Sequence, residues 1–239
     1  MSAKKMLTKA EFDFYLAKLA TLLKKEYGKG FEGELIVVGG AAILANYHFR
    51  TMSADIDAII RANARIKDAI NKISDVYDLP SDWLNSDFVK TTSFSGKLAE
   101  VSRYYRSFCN GVLTVRTVNA EYLIAMKLRS FRPYKKDLSD IVGIIGEHDK
   151  EGNSITIESI IKAYKYLYDA ELPDKALLFL QSVFDNNDIL GLYQNISEQE
   201  RKDKIKLIDF ENKYPGVLSE DNLEDILQNL NNHNSGIAD

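Results

Sequence analysis

Hydrophobic residues recur along the chain at two different spacings, and the way these spacings alternate predicts a fold that mixes helices and strands. Between residues 8 and 27, apolar side chains stand three and four positions apart, which is typical of an amphipathic helix. Thr8 and Glu11 form the pattern of a capping box at the start of this helix, and Gly28 is suited to end it.

Short apolar runs follow that are typical of buried strands. We expect strands over 35–38 and 55–61, with a helix over 41–47 between them that begins directly after two glycines. Helical spacing returns over 63–77, and the sequence LPSDWLN at 79–85 predicts a turn and a short helix. This order of elements is typical of a sheet with helices packed against it.

A hairpin is predicted where two alternating apolar segments, 98–108 and 112–118, are joined by Cys109-Asn110-Gly111. Asn-Gly between β-branched and aromatic residues is the strongest short-range hairpin signal. Asn119 is then suited to cap a helix over 120–131.

The rest of the chain shows helical spacing only, beginning with 136–148. The sequence HDKEGNS at 148–154 is the best candidate for a domain boundary. We therefore expect an α+β fold, in which a mixed sheet flanked by helices over residues 1–147 is followed by an all-helical C-terminal domain over residues 154–239. The helices predicted for that domain are 154–169, 173–185, 197–211 and 218–231.

The composition is that of a soluble globular protein, with 45% hydrophobic and 28% charged residues. The longest uncharged apolar run, residues 35–49, is too short to span a membrane. The charged N-terminus lacks the apolar core of a signal peptide, and the single cysteine, Cys109, rules out an internal disulfide and a multi-cysteine metal site. We therefore expect a cytoplasmic protein without a membrane contact.

Charge is distributed unevenly along the chain. The net charge is −4 overall, but residues 186–239 contain 5 Lys/Arg and 11 Asp/Glu, whereas the remainder is weakly positive. A site for a polyanion is therefore expected in the first three quarters of the chain.

Asp55 and Asp57 interrupt a segment that otherwise has the pattern of an interior strand. Side chains at positions i and i+2 of a strand point to the same face, so the two carboxylates would lie side by side. They repel each other unless a cation compensates, and Mg²⁺ binds carboxylate oxygens together with substrate phosphates. An Asp-x-Asp pair is also common on exposed strands, so the pair alone does not establish a metal site.

Gly39 and Gly40 strengthen the metal hypothesis because they stand between a predicted strand and a predicted helix. Glycine lets a phosphate approach the backbone, and a helix N-terminus presents N–H groups and a partial positive charge. Most Gly-Gly pairs are only turns, but together with Arg50-Thr51, Ser53 and the two aspartates they predict a site that holds a nucleoside triphosphate and Mg²⁺.

This segment resembles the first motif of the nucleotidyltransferase superfamily, whose fold is shared with DNA polymerase beta and the tRNA CCA-adding enzymes. More closely, the chain is similar to small bacterial predicted nucleotidyltransferases related to the toxins of type IV toxin–antitoxin systems. The similarity covers roughly residues 35–146, and its glycine-to-aspartate part is specific for the superfamily. The residues that carry it are Gly39-Gly40, Arg50-Thr51, Asp55-Ile56-Asp57, Trp83-Leu84-Asn85, Lys127, Arg132, Asp137 and Asp140.

The resemblance implies transfer of a nucleotide from an NTP to an acceptor hydroxyl on RNA (including a tRNA 3′ end), a protein or a small molecule, with Mg²⁺ as cofactor. It also implies an antitoxin-like protein as a candidate partner. Such chemistry asks mainly for alignment and charge neutralisation. The residues it assigns are Asp55 and Asp57 as catalytic metal ligands, Gly39, Gly40, Arg50, Thr51 and Ser53 as nucleotide-binding residues, Lys127 as the catalytic cation that neutralises the triphosphate, and Asp137 as a further catalytic residue.

Local patterns offer simpler explanations for some of these residues. Lys127 stands beside the apolar stripe of its predicted helix, where a lysine usually extends its ammonium to solvent. Asp137 and Asp140 stand near the start of the next helix, where the helix dipole favours acids. Both interpretations stay open at this point.

One feature of active superfamily members is missing from the sequence pattern. These proteins usually carry a third carboxylate on a neighbouring strand, but the matching strand, 112–118, offers Thr114 and Arg116 instead. Glu100, on the partner strand of the hairpin, is a candidate substitute. The alternative function is therefore a catalytically silent module that binds a nucleotide or another protein.

Basic residues provide two candidate contacts for a polyanion. Arg103 and Arg106 flank two tyrosines in the hairpin, which suits single-stranded nucleic acid, although a packed sheet with solvated arginines is the favoured interpretation. A second cluster flanks the predicted site and is better placed; it consists of Arg129, Arg132, Lys135 and Lys136.

Overall fold

The fold is a five-stranded mixed sheet with helices packed around it, followed by a helical C-terminal region, as seen in a computed structural model that describes residues 5–219 and 222–235. The expected α+β class is thus confirmed. The strands are β1 Gly33–Val37, β2 Ile56–Arg61, β3 Leu84–Asn85, β4 Ser102–Phe108 and β5 Leu113–Val118. The α-helices are α1 Lys9–Tyr27, α2 Gly39–Asn46, α3 Ile66–Tyr77, α4 Ala120–Ser130, α5 Asp137–Lys150, α6 Ile157–Tyr168, α7 Asp174–Phe184, α8 Ile189–Lys213 and α9 Leu223–Ser235, with short 3₁₀ helices at Asp87–Lys90 and Gly96–Ala99.

The strand order in the sheet is β3-β2-β1-β5-β4, which places β1 at the centre. Strand β1 is antiparallel to β2 and parallel to β5, so the end of β1 lies between the start of β2 and the end of β5. The two glycines follow β1, and the two aspartates stand at the start of β2, so both pairs lie at this end of the sheet. The backbone N–H of Val38 donates to the carbonyl of Asp57 at 2.9 Å, which joins the two segments directly.

Helix α1 begins and ends as its sequence pattern predicts. The Thr8 hydroxyl accepts the Glu11 backbone N–H at 3.3 Å, and the Glu11 carboxylate accepts the Thr8 backbone N–H at 2.9 Å, which completes the capping box. Gly28 ends the helix with a φ of +84°, a conformation that favours glycine. The buried face of α1, which includes Phe12 and Leu16, belongs to the main hydrophobic core.

The predicted hairpin is also confirmed. Strands β4 and β5 pair antiparallel, and the three connecting residues Cys109, Asn110 and Gly111 all have positive φ angles. Asn119 occupies the N-cap position of α4, but its side chain makes no capping hydrogen bond. That helix therefore starts without the side-chain contact that its sequence led us to expect.

Two element predictions are wrong, and the hairpin strand expected over 98–108 begins only at Ser102, after the 3₁₀ helix Gly96–Ala99. Residues 79–85 form a turn followed by the two-residue strand β3, because the Trp83 carbonyl accepts the Ile56 N–H at 2.8 Å and pairing with β2 prevails over a short helix. The helix expected over 197–211 begins much earlier, at Ile189. The Asp188 carboxylate caps it by accepting the Gly191 N–H at 2.9 Å, which stabilises a start that apolar periodicity does not reveal.

The C-terminal helices pack against the helices that follow the sheet: α6 against α4, and α8 against α5. The Arg129 guanidinium donates to the Tyr164 hydroxyl at 3.1 Å, and the Ser95 hydroxyl donates to the Leu167 carbonyl at 2.8 Å. The division into domains at 1–147 and 154–239 stays a prediction, and its parts at 1–4, 220–221 and 236–239 lie outside the described residues. Among the described residues, no helix combines the length and apolar character needed to cross a membrane.

Candidate active site

A cleft of about 1080 Å³ opens where the end of β1 and the start of β2 meet α5 and α8. Two predicted site residues are not part of its lining: Gly39, which is half-buried, and Thr51, which is exposed. The other predicted site residues are brought together in the cleft wall; they are Gly40, Arg50, Ser53, Asp55, Asp57, Lys127 and Asp137.

Asp55 and Asp57 are both half-buried and both line the cleft, whereas Ile56 and Ala58 are buried in the core. The alternation expected from strand periodicity therefore holds through the start of β2. Asp57 also pairs in register with Asn85 of β3, so its backbone is fixed by strands on both sides.

The Gly39-Gly40 turn is tightly fitted to this edge. Gly39 has a φ of +58°, and a Cβ atom built there would lie 3.9 Å from Asp57 Oδ2. A Cβ atom on Gly40 would collide with the Arg50 guanidinium and would lie 3.1 Å from Ser53 Oγ. Because only glycine leaves this space open, Arg50 can lie against the start of α2.

The loop between α2 and β2, which carries three of the predicted nucleotide-binding residues, is held from three directions. The Glu147 carboxylate on α5 accepts the Phe49 N–H at 2.8 Å, and the Tyr193 hydroxyl on α8 donates to the Phe49 carbonyl at 3.3 Å. Ser53 exchanges two backbone hydrogen bonds with Leu7, at 2.7 and 2.9 Å. These contacts give the loop one defined position over the cleft.

An alternating chain of charges forms the cleft floor: Arg50, Asp140, Lys127, Asp137 and Arg132. The Lys127 ammonium lies 2.8 Å from Asp137 Oδ1 and 2.9 Å from Asp140 Oδ2. Arg50 pairs with the same oxygen of Asp140, Oδ2, and Arg132 Nε lies 2.8 Å from Asp137 Oδ2. Both aspartates are buried, so this network is shielded from water.

The charges of this network stabilise one another. Burial by itself lowers the pKa of Lys127, but Asp140 and Asp137 outweigh it and raise that pKa above the ordinary value. Burial by itself raises the pKa of Asp137, but Lys127 and Arg132 outweigh it and lower that pKa to about 2. Such a carboxylate is a weak base, so the geometry favours a positioning role for Asp137, and its catalytic role stays a prediction.

Helix α8 forms a cleft wall that the sequence did not lead us to expect. Its buried Glu200 accepts the backbone N–H groups of Leu138 and Ser139, at 2.9 and 3.3 Å, and also the Ser139 hydroxyl. Burial raises the pKa of Glu200 to about 7, although these three hydrogen bonds oppose the shift. One signal was present in the sequence: Glu200 shares a helix face with Asp203 and Leu207, and all three are buried.

Most of the second basic cluster lies at this cleft. Arg132, Lys135 and Lys136 line it, whereas Arg129 turns away and lies over the ring of Tyr168 on α6. From α8, Arg201 and Lys204 add further positive charge to the opposite wall. The cleft is therefore bordered by cations from two elements that are far apart in sequence.

The favoured interpretation of a packed sheet with solvated arginines holds only in part, because Arg106 and Arg116 pair with acids of the protein and Tyr104 is exposed. Arg106 forms an ion pair with Asp13 at 3.0 Å, and the Tyr105 hydroxyl donates to the same carboxylate at 3.0 Å. Arg116 lies 3.7 Å from Glu34 and donates to a backbone carbonyl. None of these side chains lines the cleft.

The third carboxylate of the superfamily has no counterpart on β5. Val37 of β1 pairs with Ala58 of β2 and with Thr117 of β5. One residue beyond this row, Asp57 of β2 therefore stands level with Val118 of β5. Glu100 lies before β4, accepts a hydrogen bond from the Tyr166 hydroxyl at 2.6 Å and does not line the cleft. Within residues 5–219 and 222–235, no group of three or more His, Cys, Asp and Glu side chains is arranged to hold a metal ion.

Two half-buried carboxylates in a polar cleft nevertheless suit one kind of metal site. Mg²⁺ commonly takes one or two protein carboxylates and completes its shell with water and substrate phosphates. Asp55 and Asp57 offer such a pair beside a turn that admits a phosphate. The residues present therefore fit Mg²⁺ bound together with a nucleotide.

Comparison with known proteins gives one match. The sequence model of a family described as a nucleotidyltransferase of unknown function (DUF6036) matches residues 15–149, which is more than half of the chain and includes all the predicted site residues. No curated protein and no solved structure matches the chain. The protein therefore belongs to the DUF6036 family of nucleotidyltransferases of unknown function.

Proposed function

We propose that the protein is a Mg²⁺-dependent nucleotidyltransferase that moves a nucleotide from an NTP to an acceptor hydroxyl. One observation carries the proposal: the Asp57 carboxylate lies beside the Gly39-Gly40 turn, within 3.9 Å of where a side chain on Gly39 would begin. A phosphate on the turn would thus lie next to the two aspartates, Asp55 and Asp57. Family membership supports nucleotidyl transfer in general.

In this mechanism the protein mainly binds and orients. The Gly39-Gly40 backbone and the N-terminus of α2 receive the phosphates, and Asp55 and Asp57 hold Mg²⁺, which when bound would offset phosphate charge. The acceptor oxygen then forms a bond to the α-phosphorus while the bond to pyrophosphate breaks. The acceptor proton leaves to water or to a carboxylate in the cleft. Such transfer depends on alignment and charge compensation rather than on covalent catalysis.

The acceptor is an RNA end (including that of a tRNA), a protein side chain or a small molecule with a hydroxyl group. At about 1080 Å³, the cleft is at the upper end of the usual range for ligand sites, about 300–1,000 Å³, so it has room for a nucleotide and the end of an acceptor. The cations at its border favour an acceptor that carries phosphate. A toxin role with an antitoxin partner stays a prediction from the resemblance.

A catalytically silent nucleotide-binding or protein-interaction module is the second candidate. It is favoured by one observation: strand β5 offers no carboxylate, and its apolar Val118 stands level with Asp57. In that case the cleft would bind an NTP without transferring it, and a protein partner would respond to the bound state.

The experiment that separates the two candidates is a transfer assay with each α-labelled NTP. Wild type is incubated with Mg²⁺ and, separately, with total RNA, a protein extract and a pool of small hydroxyl compounds, and labelled products are separated by class. Asp55→Asn/Asp57→Asn is the test variant, and Asp68→Asn, which changes an exposed acid on α3 outside the cleft, is the control. We expect a labelled product with wild type and the control only. Label transfer by the double variant at the wild-type rate would disprove the assigned metal site.

A further inference from the structure

Two lysines border the cleft without forming an ion pair with an acid of the described residues. Lys136 is the N-cap residue of α5, and Lys204 lies on α8; both line the cleft and both are exposed. Among the described residues, neither side chain makes an ion pair or a hydrogen bond. They therefore differ from the cations on the cleft floor, which are engaged by carboxylates.

The position of Lys204 relative to Lys136 is set by Glu200. The Glu200 carboxylate binds the N–H groups of Leu138 and Ser139, which lie directly after Lys136 in the first turn of α5. Lys204 follows Glu200 by four residues, so it lies on the same face of α8, one turn further along. This contact brings the two lysines to the same end of the cleft.

Their placement is electrostatically unfavourable for the protein alone. A cation at the N-cap faces the positive end of the α5 dipole. Lys136 is exposed as a whole residue, but partial burial of its ammonium and the charge of Arg50 lower its pKa. The charge of Lys204 adds to this effect, and Asp140 and Glu200 do not outweigh it. A bound anion would relieve both the repulsion and the dipole conflict.

Three other cations of the cleft are already engaged by carboxylates. Lys127 is shared between two buried aspartates, and Arg50 is engaged by one of them. Arg201 forms two hydrogen bonds, at 2.8 and 2.7 Å, with the Glu198 carboxylate. Lys136 and Lys204 are therefore better able than these three cations to accept new phosphate oxygens.

We propose that Lys136 and Lys204 form a phosphate subsite that binds the terminal phosphates of the nucleoside triphosphate, on the α5 and α8 side of the cleft. The subsite rests on the proposed function, because it assumes that an NTP occupies this cleft. It assigns part of the recognition of the triphosphate to the helical C-terminal region, which the family match at residues 15–149 does not cover. Helix α8 is then a component of the nucleotide site.

The first test uses inorganic tripolyphosphate in the presence of EDTA, so that neither a base nor a metal ion contributes. Binding is measured by calorimetry on wild type and on Lys136→Ala/Lys204→Ala. Lys202→Ala is the matched control, since Lys202 is exposed on the same helix and does not line the cleft. We expect at least about tenfold weaker binding by the double variant, the loss typical of charge-assisted contacts, and unchanged binding by the control. Equal affinity of wild type and double variant, or no binding by wild type, would overturn the proposal.

Two further arms identify the source of the phosphate and separate this proposal from the proposed function. Asp55→Asn/Asp57→Asn should still bind tripolyphosphate in EDTA. If it does so but wild type shows no Mg²⁺-dependent NTP binding, the subsite stands and the proposed function fails.

A short single-stranded RNA without a triphosphate should bind equally to wild type and to the lysine variant. If the variant loses affinity for RNA and keeps it for tripolyphosphate, the lysines contact an acceptor, and the assignment to the NTP is wrong.

Discussion

The Lys127 ammonium and the Asp137 carboxylate lie 2.8 Å apart at the floor of the cleft, so two residues that the sequence suggested separately for catalysis form a buried ion pair. Asp140 and Arg132 extend the pair on either side. The network fixes α4 and α5 relative to each other beneath the two glycines and the two aspartates. These four residues therefore contribute to function by holding the cleft in its shape.

Asp137→Asn is expected to lower the free energy of unfolding by about 3 kcal/mol or more at pH 7, because it removes one charge from a buried pair and leaves the other. The comparison is Asp87→Asn, whose carboxylate pairs with Lys90 at the surface and should cost less than about 1 kcal/mol. Both changes in the free energy of unfolding are to be measured by urea unfolding.

The same pair has a defined pH dependence. The pKa of Asp137 is lowered from 3.8 to about 2 in the folded state, so its stabilisation is present above pH 3.8 and is lost as pH falls toward 2. The difference in stability between wild type and Asp137→Asn should therefore shrink in that interval. A difference that stays constant down to pH 2 would contradict the assigned ion pair.

Glu200 is expected to act in the opposite direction. Its pKa is raised from 4.5 to about 7, chiefly by burial, so the folded state holds a proton that the unfolded state has released. The free energy of unfolding should therefore decrease as pH rises from 4.5 to 7, by up to about 3 kcal/mol, and then level off. Glu200→Gln should flatten this slope in urea unfolding at a series of pH values.

The control for Glu200 is Glu198→Gln on the same helix. Its carboxylate is exposed, and the hydrogen bond from Arg201 lowers its pKa, so it does not titrate between pH 5 and 7. This variant should keep the wild-type slope. A wild-type slope in Glu200→Gln as well would show that Glu200 is not the titrating group.

Gly40→Ala is expected to displace Arg50 from the start of α2, because the added methyl group would collide with the guanidinium. We predict a loss of stability of about 1–3 kcal/mol and weaker binding of Mg²⁺ and NTP. Gly30→Ala is the matched change, since its methyl group would meet no atom within 4 Å and its φ is not positive. Thermal unfolding and calorimetry on both variants test this; equal behaviour would refute the close contact.

Tyr193→Phe tests whether α8 supports the nucleotide-binding loop. The change removes the hydroxyl that donates to the Phe49 carbonyl, which should cost about 0.5–1.5 kcal/mol of stability and weaken NTP binding severalfold. Tyr214→Phe, near the exposed end of the same helix, should change neither quantity. If Tyr193→Phe binds NTP with the affinity of wild type, α8 does not support the nucleotide-binding loop.

Local patterns were sufficient for much of the sheet domain. Alternation placed Asp55 and Asp57 on one face, the capping box located the start of α1, and Asn110-Gly111 identified the hairpin. Each of these features depends on residues within a few positions of one another. Strand β3 escaped detection because two residues are too few to show a period.

The rest of the site depends on contacts between distant parts of the chain. Glu200 binds the start of α5 from 61 residues away, and Tyr193 reaches the Phe49 carbonyl across 144 residues. An acid on a largely polar helix resembles a solvated surface residue until its partner is known. For the same reason, the helical spacing of Glu200, Asp203 and Leu207 was not enough to indicate that α8 forms a wall of the cleft.

The central claim is that Asp55 and Asp57 hold Mg²⁺ against a nucleotide on the Gly39-Gly40 turn. The most direct measurement is calorimetric titration of each NTP, with and without Mg²⁺, into wild type and Asp55→Asn/Asp57→Asn. We predict that wild type binds at least one NTP in a Mg²⁺-dependent manner and that the double variant loses this dependence. Wild type that binds no NTP, or a double variant that keeps the full Mg²⁺ effect, would contradict the claim.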